Sequence, residues 1–172
     1  MSRTKVPHPG DIYGQARAHL AELRATYPSQ FCPDDIGDLI HRSWPDGWHS
    51  LVASVCDFAA KHYPDVQWGQ IGEKYGGLRM YFGGANIRVN LHMRAGLLSF
   101  EIDNNEGKPL PELQELINRT EALSMKTCAL CGVQDGAERH VERRNLGGWL
   151  LATCDECVPL INAYQALPFA QR

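Results

Sequence analysis

Four cysteines constrain this chain more than anything else in it. Cys128 and Cys131 lie in CALCG, Cys154 and Cys157 in CDEC, with 22 residues between the pairs. C-x-x-C spacing lets two thiolates meet one metal ion, and two such pairs complete a tetrahedral set for one Zn²⁺. Gly132, after the first pair, suits a tight knuckle because glycine accepts positive φ without steric cost. The second pair follows a strand-like run, GGWLLAT, and precedes a helical run, DECVPLINAYQAL, for which Thr153 or Asp155 is the expected cap. Thiolates at a helix N-terminus gain from the dipole, which favours metal binding. Knuckle, hairpin and ligands at a helix start follow the order of a treble-clef zinc finger. The spacer exceeds the roughly 15–20 residues usual between such pairs. A long hairpin tip, around 134–146, would absorb the excess. A thioredoxin-like redox pair would follow a βαβ pattern, and neither pair does. All four positions are filled by protein, so the expected zinc is structural and leaves none open for catalysis.

The chain's 172 residues suit one domain with a small appendage. The expected division is an α+β domain over 1–126 and a four-cysteine finger with a C-terminal helix over 127–172. The net charge of −3 lacks the cationic excess of a general phosphate binder. MSRTKVPHPGD does not read as a signal peptide, and no apolar run approaches the roughly 20 residues of a membrane span. These features suggest a cytoplasmic protein with no membrane partner. In a reducing compartment cysteines serve as metal ligands or free thiols, and Cys32 and Cys56 read as inert thiols.

Helices are expected over 11–26, 47–63 and 109–125. The first places Ile12, Ala16, His19, Leu20 and Leu23 on one face, with Asp11 as N-cap. CPDDIGDLIHRSW suggests a short second helix. Asp46 is the expected cap of GWHSLVASVCDFAAKHY, whose stripe runs through Trp48, Leu51, Val52, Val55, Phe58 and Ala59. The last of the three turns Leu113, Leu116, Ile117 and Leu123 inward.

Between them the period changes to two. NIRVNLHM and LLSFEID alternate, and a turn at Ala95-Gly96 would pair Met93 with Leu98, Leu91 with Phe100 and Arg88 with Asp103. Gly76-Gly77 marks another turn. A two-residue loop there pairs Ile71 with Phe82, and a three-residue loop pairs Glu73 with Arg79. Residues 66–103 thus read as a four-stranded antiparallel meander, covered on one face by helices.

QIGEKYGGLRMYF at 70–82, SMKTCALCG at 124–132 and GGWLLATCDEC at 147–157 resemble a family of small, largely uncharacterised phage, prophage and bacterial proteins. Its members pair a QIKEKFGGLRFY-like stretch with S-x-x-C-E-x-C-G … GGW-x-x-T-L-C-D, preceded by a segment like DGWHSLV. The resemblance covers roughly 44–160 and leaves 1–43 uncovered. The chain departs from it by a longer sheet segment at about 86–104, by Gly72 where lysine is common, and by Cys157 where histidine is the alternative. The resemblance implies a mobile-element or bacterial-conflict setting, in a bacterial or phage-infected cell, and no enzymatic activity.

The expected function is non-catalytic: a zinc-stabilised protein that binds and inhibits or regulates a protein partner, as an inhibitor or immunity-type factor does. Exposed aromatics and arginines usually anchor such surfaces. Tyr75, Arg79, Tyr81, Arg143, Arg144 and Trp149 are the candidates. A second reading gives the finger a nucleic-acid role through Arg139, His140, Arg143 and Arg144 on the hairpin tip, although Glu138 and Glu142 interleave with them. A third is a His-Me-type nuclease with His140 as general base. It lacks a histidine after Cys157, and Asn145 and Asp135 are poor substitutes for a catalytic metal ligand. Glu73, Lys74 and Arg79 could form a small polar site, but a salt bridge fixing the hairpin is the preferred reading.

Overall fold

The computed structural model describes residues 8–31, 41–82, 87–93, 96–102 and 110–168, with backbone alone for 87–93 and 96–102. It is a mixed α+β structure. Four helices stand among the described residues: α1 (Ala16–Thr26), α2 (His49–His62), α3 (Pro111–Ser124) and α4 (Val158–Gln165). The strands are β1 (Arg42–Ser43), β2 (Trp68–Lys74), β3 (Gly77–Phe82), β4 (Ile87–Met93), β5 (Gly96–Ile102), β6 (Val141–Leu146) and β7 (Trp149–Cys154).

The expected four-stranded meander does not form. The strands make a three-stranded sheet in the order β1-β2-β3 and two separate hairpins, β4-β5 and β6-β7. β1 is parallel to β2, with Arg42 beside Ile71, and is only two residues long. A strand that short carries no alternation, which is why the sequence hides it. It is anchored by Arg42, whose Nε donates to the Trp68 carbonyl at 3.0 Å.

Both hairpin registers differ from expectation. In β2-β3, Ile71 faces Met80 and Lys74 faces Gly77, so the turn is Tyr75-Gly76. Both turn residues have positive φ, 56° and 81°, the requirement of a type I′ connection. Gly77 instead opens β3, where a Cβ would lie 2.9 Å from Met125 Cε; its smallness serves packing at the end of α3. In β4-β5, Leu91 faces Leu98, Val89 faces Phe100 and Arg88 faces Glu101. The shift from the expected register is two residues, so each residue keeps its face of the hairpin.

The first helix begins later than expected. Asp11 Oδ1 accepts the Tyr13 N–H at 3.0 Å in a local turn, a competitor of helix that short acidic side chains readily supply. The Gln15 N–H at the start of α1 is satisfied by Asp46, whose two carboxylate oxygens lie 3.1 and 3.0 Å away. Asp46 therefore does not cap α2; it opens a 3₁₀ turn over Asp46–Trp48 that leads into that helix. The final helix has Cys157 at its N-cap and no side-chain cap, so neither Thr153 nor Asp155 takes that role. Leu113 and Ile117 of α3 are buried, but Leu123 is exposed. The expected short helix over CPDDIGDLIHRSW falls largely outside the described residues, as do Cys32 and Asp103.

Trp44, Trp48 and Trp68 form the centre of the core with Leu23, Val52, Ile71, Leu78 and Leu113. The indole N–H groups of Trp48 and Trp68 are satisfied, whereas Trp44 Nε1 is buried without a hydrogen-bond partner among the described residues. Trp68 Nε1 donates to Gln30 Oε1 at 2.7 Å, and Gln30 Nε2 donates to the Cys56 carbonyl at 2.8 Å. Burial pushes the Cys56 thiol up to about 12, against a weaker opposing effect of Trp68, as suits an inert thiol. The same core cluster crosses position 126/127: Cys128, Ala129, Leu151 and Ile161 belong to it with Trp48 and Val52.

Candidate metal centre

The C-terminal segment folds around its cysteines. The Gly132 N–H donates to the Cys128 carbonyl at 2.9 Å, and the Cys128 N–H donates to the Val133 carbonyl at 2.8 Å. Gly132 has a φ of 76°, so a side chain there would be strained. The Ala129 N–H donates to the Ala152 carbonyl at 2.8 Å and ties this knuckle to β7. β7 ends at Cys154, and one turn later Cys157 starts α4.

The four sulfurs converge, all lying within 4.8 Å of one another. Cys131 Sγ and Cys154 Sγ are 3.7 Å apart. A disulfide would bring them to about 2.05 Å. Tetrahedral thiolates at about 2.3 Å from Zn²⁺ stand about 3.8 Å apart, so the observed spacing suits a metal ion.

Electrostatics supports the same fit. Burial weighs against a charge on Cys128, but backbone N–H groups of Cys131, Cys154 and Leu130 outweigh it, and the thiol falls below its ordinary range. Burial and then the charge on Cys128 raise Cys131 and Cys157. One thiolate forms readily, and further ones require a cation among them. The cluster could therefore hold a metal ion.

The centre is built into the rest of the protein. The Gly47 N–H donates to the Ala129 carbonyl at 2.9 Å. A Cβ on Gly47 would fall 2.2 Å from the Cys128 carbonyl oxygen and 2.6 Å from the Gly132 nitrogen. Trp48 Nε1 donates to the Thr127 carbonyl at 2.9 Å. The DGW stretch is thus the seat of the knuckle.

EKYGGLR and GGW also meet. Trp149 Nε1 donates to Glu73 Oε2 at 3.0 Å, and Glu73 Oε1 accepts the Gly76 N–H at 2.7 Å. Arg79 does not pair with Glu73, because the two face opposite ways: Arg79 pairs with Glu121 of α3 at 3.3 Å. Ser124 Oγ accepts the Leu78 N–H at 2.8 Å. The expected Glu73–Arg79 bridge is replaced by two tethers, one to the finger and one to α3. Lys74 lies over the Tyr81 ring, 6.0 Å from its centre.

The basic stretch after the knuckle is not a hairpin tip. The tip is Gly147-Gly148, both at positive φ. Arg139 and His140 precede β6, and Arg143 and Arg144 lie on it. Arg144 pairs with Glu142 and Asp155, and Arg139 pairs with Glu156 at 2.8 Å. His140 faces Asp135 at 3.2 Å and Glu142 at 3.5 Å. Asp135 also accepts the Val141 N–H at 2.9 Å, which holds the loop and, with His140, lowers its carboxyl below the usual range.

The six proposed contact residues therefore separate. Tyr75 is 82% exposed, and Tyr81 and Trp149 are partly so. Arg143 is exposed, with no ion pair among the described residues, and its Nε lies 3.3 Å from where a Gly76 Cβ would stand. Arg143 thus borders the Tyr75-Gly76 turn, and Trp149, on the other face of the β6-β7 hairpin, reaches the same β2-β3 arm through Glu73. Arg79 and Arg144 are engaged in ion pairs and are not free anchors.

No protein-family model, curated protein or solved structure matches the chain. Among the described residues no helix is long and apolar enough to cross a membrane.

Proposed function

We propose that this chain is a non-catalytic, zinc-stabilised binding protein that recognises a protein partner through the surface around Tyr75, Arg143 and Trp149, with Tyr81 at its margin. The observation that carries this reading is Tyr75. It is a bulky residue in the left-handed region, at a turn position where Asn, Asp or Gly is ordinarily found, and it is 82% exposed. A side chain kept in a costly conformation and turned to solvent contributes little to folding. Such outliers point to function, and tyrosine and arginine are the usual anchors of protein interfaces.

The ion in the cysteine cluster is zinc in this reading, and the finger is a treble clef: knuckle, hairpin β6-β7, then α4, with two ligands from each end. Its role is to fix the hairpin tip against β2-β3. The phage or bacterial-conflict setting, and inhibition or regulation as the consequence of binding, rest on the motif resemblance. The ion pairs of Arg139, Arg144 and His140 favour a protein partner over nucleic acid.

The test is affinity capture from a phage-infected and an uninfected bacterial lysate, with Tyr75→Asn/Arg143→Ala beside the parent chain. A protein held by the parent and released by the folded double variant supports the reading. Equal capture by both sinks this surface.

A further inference from the structure

A second cluster of metal-ligating side chains shares no residue with the cysteine set, although His19 lines the same cleft as Cys131 and Cys157. His19 and Glu22 sit three residues apart on α1, on one face of that helix. His49 is the first residue of α2. One ligand atom from each lies within 4.8 Å of the other two. We propose that His19, Glu22 and His49 form a second metal site, for a divalent first-row transition ion such as Zn²⁺, bound by two imidazole nitrogens and one carboxylate. It lies beyond the function proposed above and does not depend on it.

The donor set is the first argument. Two imidazoles and a carboxylate suit Zn²⁺, Co²⁺, Ni²⁺ or Cu²⁺ and are ill suited to Mg²⁺ or Ca²⁺. The second argument is unfilled hydrogen-bonding capacity. His19 Nε2 and His49 Nδ1 are buried and have no hydrogen-bond partner. Buried polar atoms are nearly always satisfied, so two orphans on adjacent rings need an explanation. The third is anchoring. His49 Nε2 lies 3.2 Å from Glu22 Oε2. Asp46 Oδ1 stands 3.5 Å from His19 Nε2 without making a hydrogen bond to it, and its charge adds to that of Glu22 in favouring a cation here.

The geometry also says what binding must change. The two rings stack, centres 3.9 Å apart and 14° between planes. A metal lies in the plane of each ring it binds, so two parallel stacked rings cannot share one. His49 is held from its other side by Trp44, stacked at 6.2 Å. His19 instead lines an open cleft of about 660 Å³ with His8, Asp11 and Asp46. His19 is therefore the ring that turns, about a side-chain torsion that is broad for histidine. The cleft is the ion's route in.

The experiment is metal analysis of the full-length chain equilibrated with a small excess of Zn²⁺ and freed of loose ion. Two zinc per chain are expected, falling to one in His49→Gln and in Glu22→Gln, with the cysteine-bound ion kept. Co²⁺ substitution separates the sites, because only the cysteine cluster gives thiolate charge-transfer bands in the near ultraviolet. A second cobalt without such bands, lost in Glu22→Gln, is the expected signature. Glu22 is largely exposed, so that variant keeps its fold even if His49→Gln does not. One zinc per chain in the parent, or a second ion retained in Glu22→Gln, overturns the proposal.

Discussion

Trp149 and Glu73 are 76 positions apart in sequence, yet the indole N–H reaches the carboxylate at 3.0 Å. The contact joins the tip of one hairpin to the arm of another and unites two motifs that sequence alone leaves separate. Glu73 does double service, since its other oxygen closes the Tyr75-Gly76 turn. Glu73→Ala should destabilise the chain by about 1–2 kcal/mol, the range for a charge-assisted hydrogen bond lost at a partly exposed site. Glu73→Gln should recover about half, because one oxygen still serves one donor. Urea unfolding followed by tryptophan emission measures both, and equal stability of all three chains would remove the tether from the account.

The knuckle depends on Gly47 more than on any side chain outside the cysteines. A Cβ there would collide with backbone at 2.2 Å, which cannot move aside as a flexible side chain can. Gly47→Ala should cost more than about 3 kcal/mol, the range of severe steric lesions. It should also speed loss of the bound ion to a chelator, a readout that a general packing defect in the helices would leave alone.

Removal of the ion should be felt far from the finger. Trp48 donates to the Thr127 carbonyl beside Cys128, and both lie in one core. Chelation, or Cys154→Ser, should therefore shift Trp48 emission to the red together with loss of structure in the finger. If the finger melts while the emission of the buried tryptophans stays put, the two parts are energetically independent.

The cysteine cluster was legible because its chemistry is written in local spacing. Tertiary choices were not. The β2-β3 register turns on a tyrosine accepting positive φ, which no propensity suggests, while the Gly76-Gly77 pair drew attention one residue too late. Asp11 and Asp46 both look like caps in sequence because each precedes a helix-like run. The pairing of Asp46 with Gln15 is decided by where α2 lands beside α1. The third and fourth expected strands do pair, and among the described residues they pair with each other and not with β2-β3. His19, Glu22 and His49 are not legible as a set in the sequence, because His49 joins the other two only in the fold.

Glu121 provides a pH test. Burial raises its carboxyl above the ordinary glutamate range, and Arg79 and a Met80 backbone contact lower it only in part. A carboxyl raised in the folded state contributes stability below its unfolded pKa, and that contribution is lost as pH rises through the folded value. Arg79→Met removes the opposing cation and raises Glu121 further. The variant's deficit relative to the parent should therefore be small near pH 4 and grow toward pH 7. Chemical denaturation at both values measures it, and a deficit independent of pH would assign the Arg79 effect to packing of its stem.

The last prediction sets stability against binding. Tyr75 occupies the left-handed region, which costs a residue with a Cβ about 1–2 kcal/mol. Its ring, 82% exposed, recovers little of that by burial. Tyr75→Gly relieves the strain but frees the unfolded chain, whereas Tyr75→Asn relieves part of it with less entropic loss. Tyr75→Asn should then raise stability by about 0.5–1 kcal/mol, since Asn tolerates this conformation. The same variant should lose the captured partner. A residue that weakens the fold and strengthens an interface gives opposite signs in the two measurements, whereas a merely tolerated residue gives a gain in one and no change in the other. Thermal unfolding beside affinity capture of the same preparation distinguishes these outcomes, and a stability loss in Tyr75→Asn would mean that the ring supports the turn.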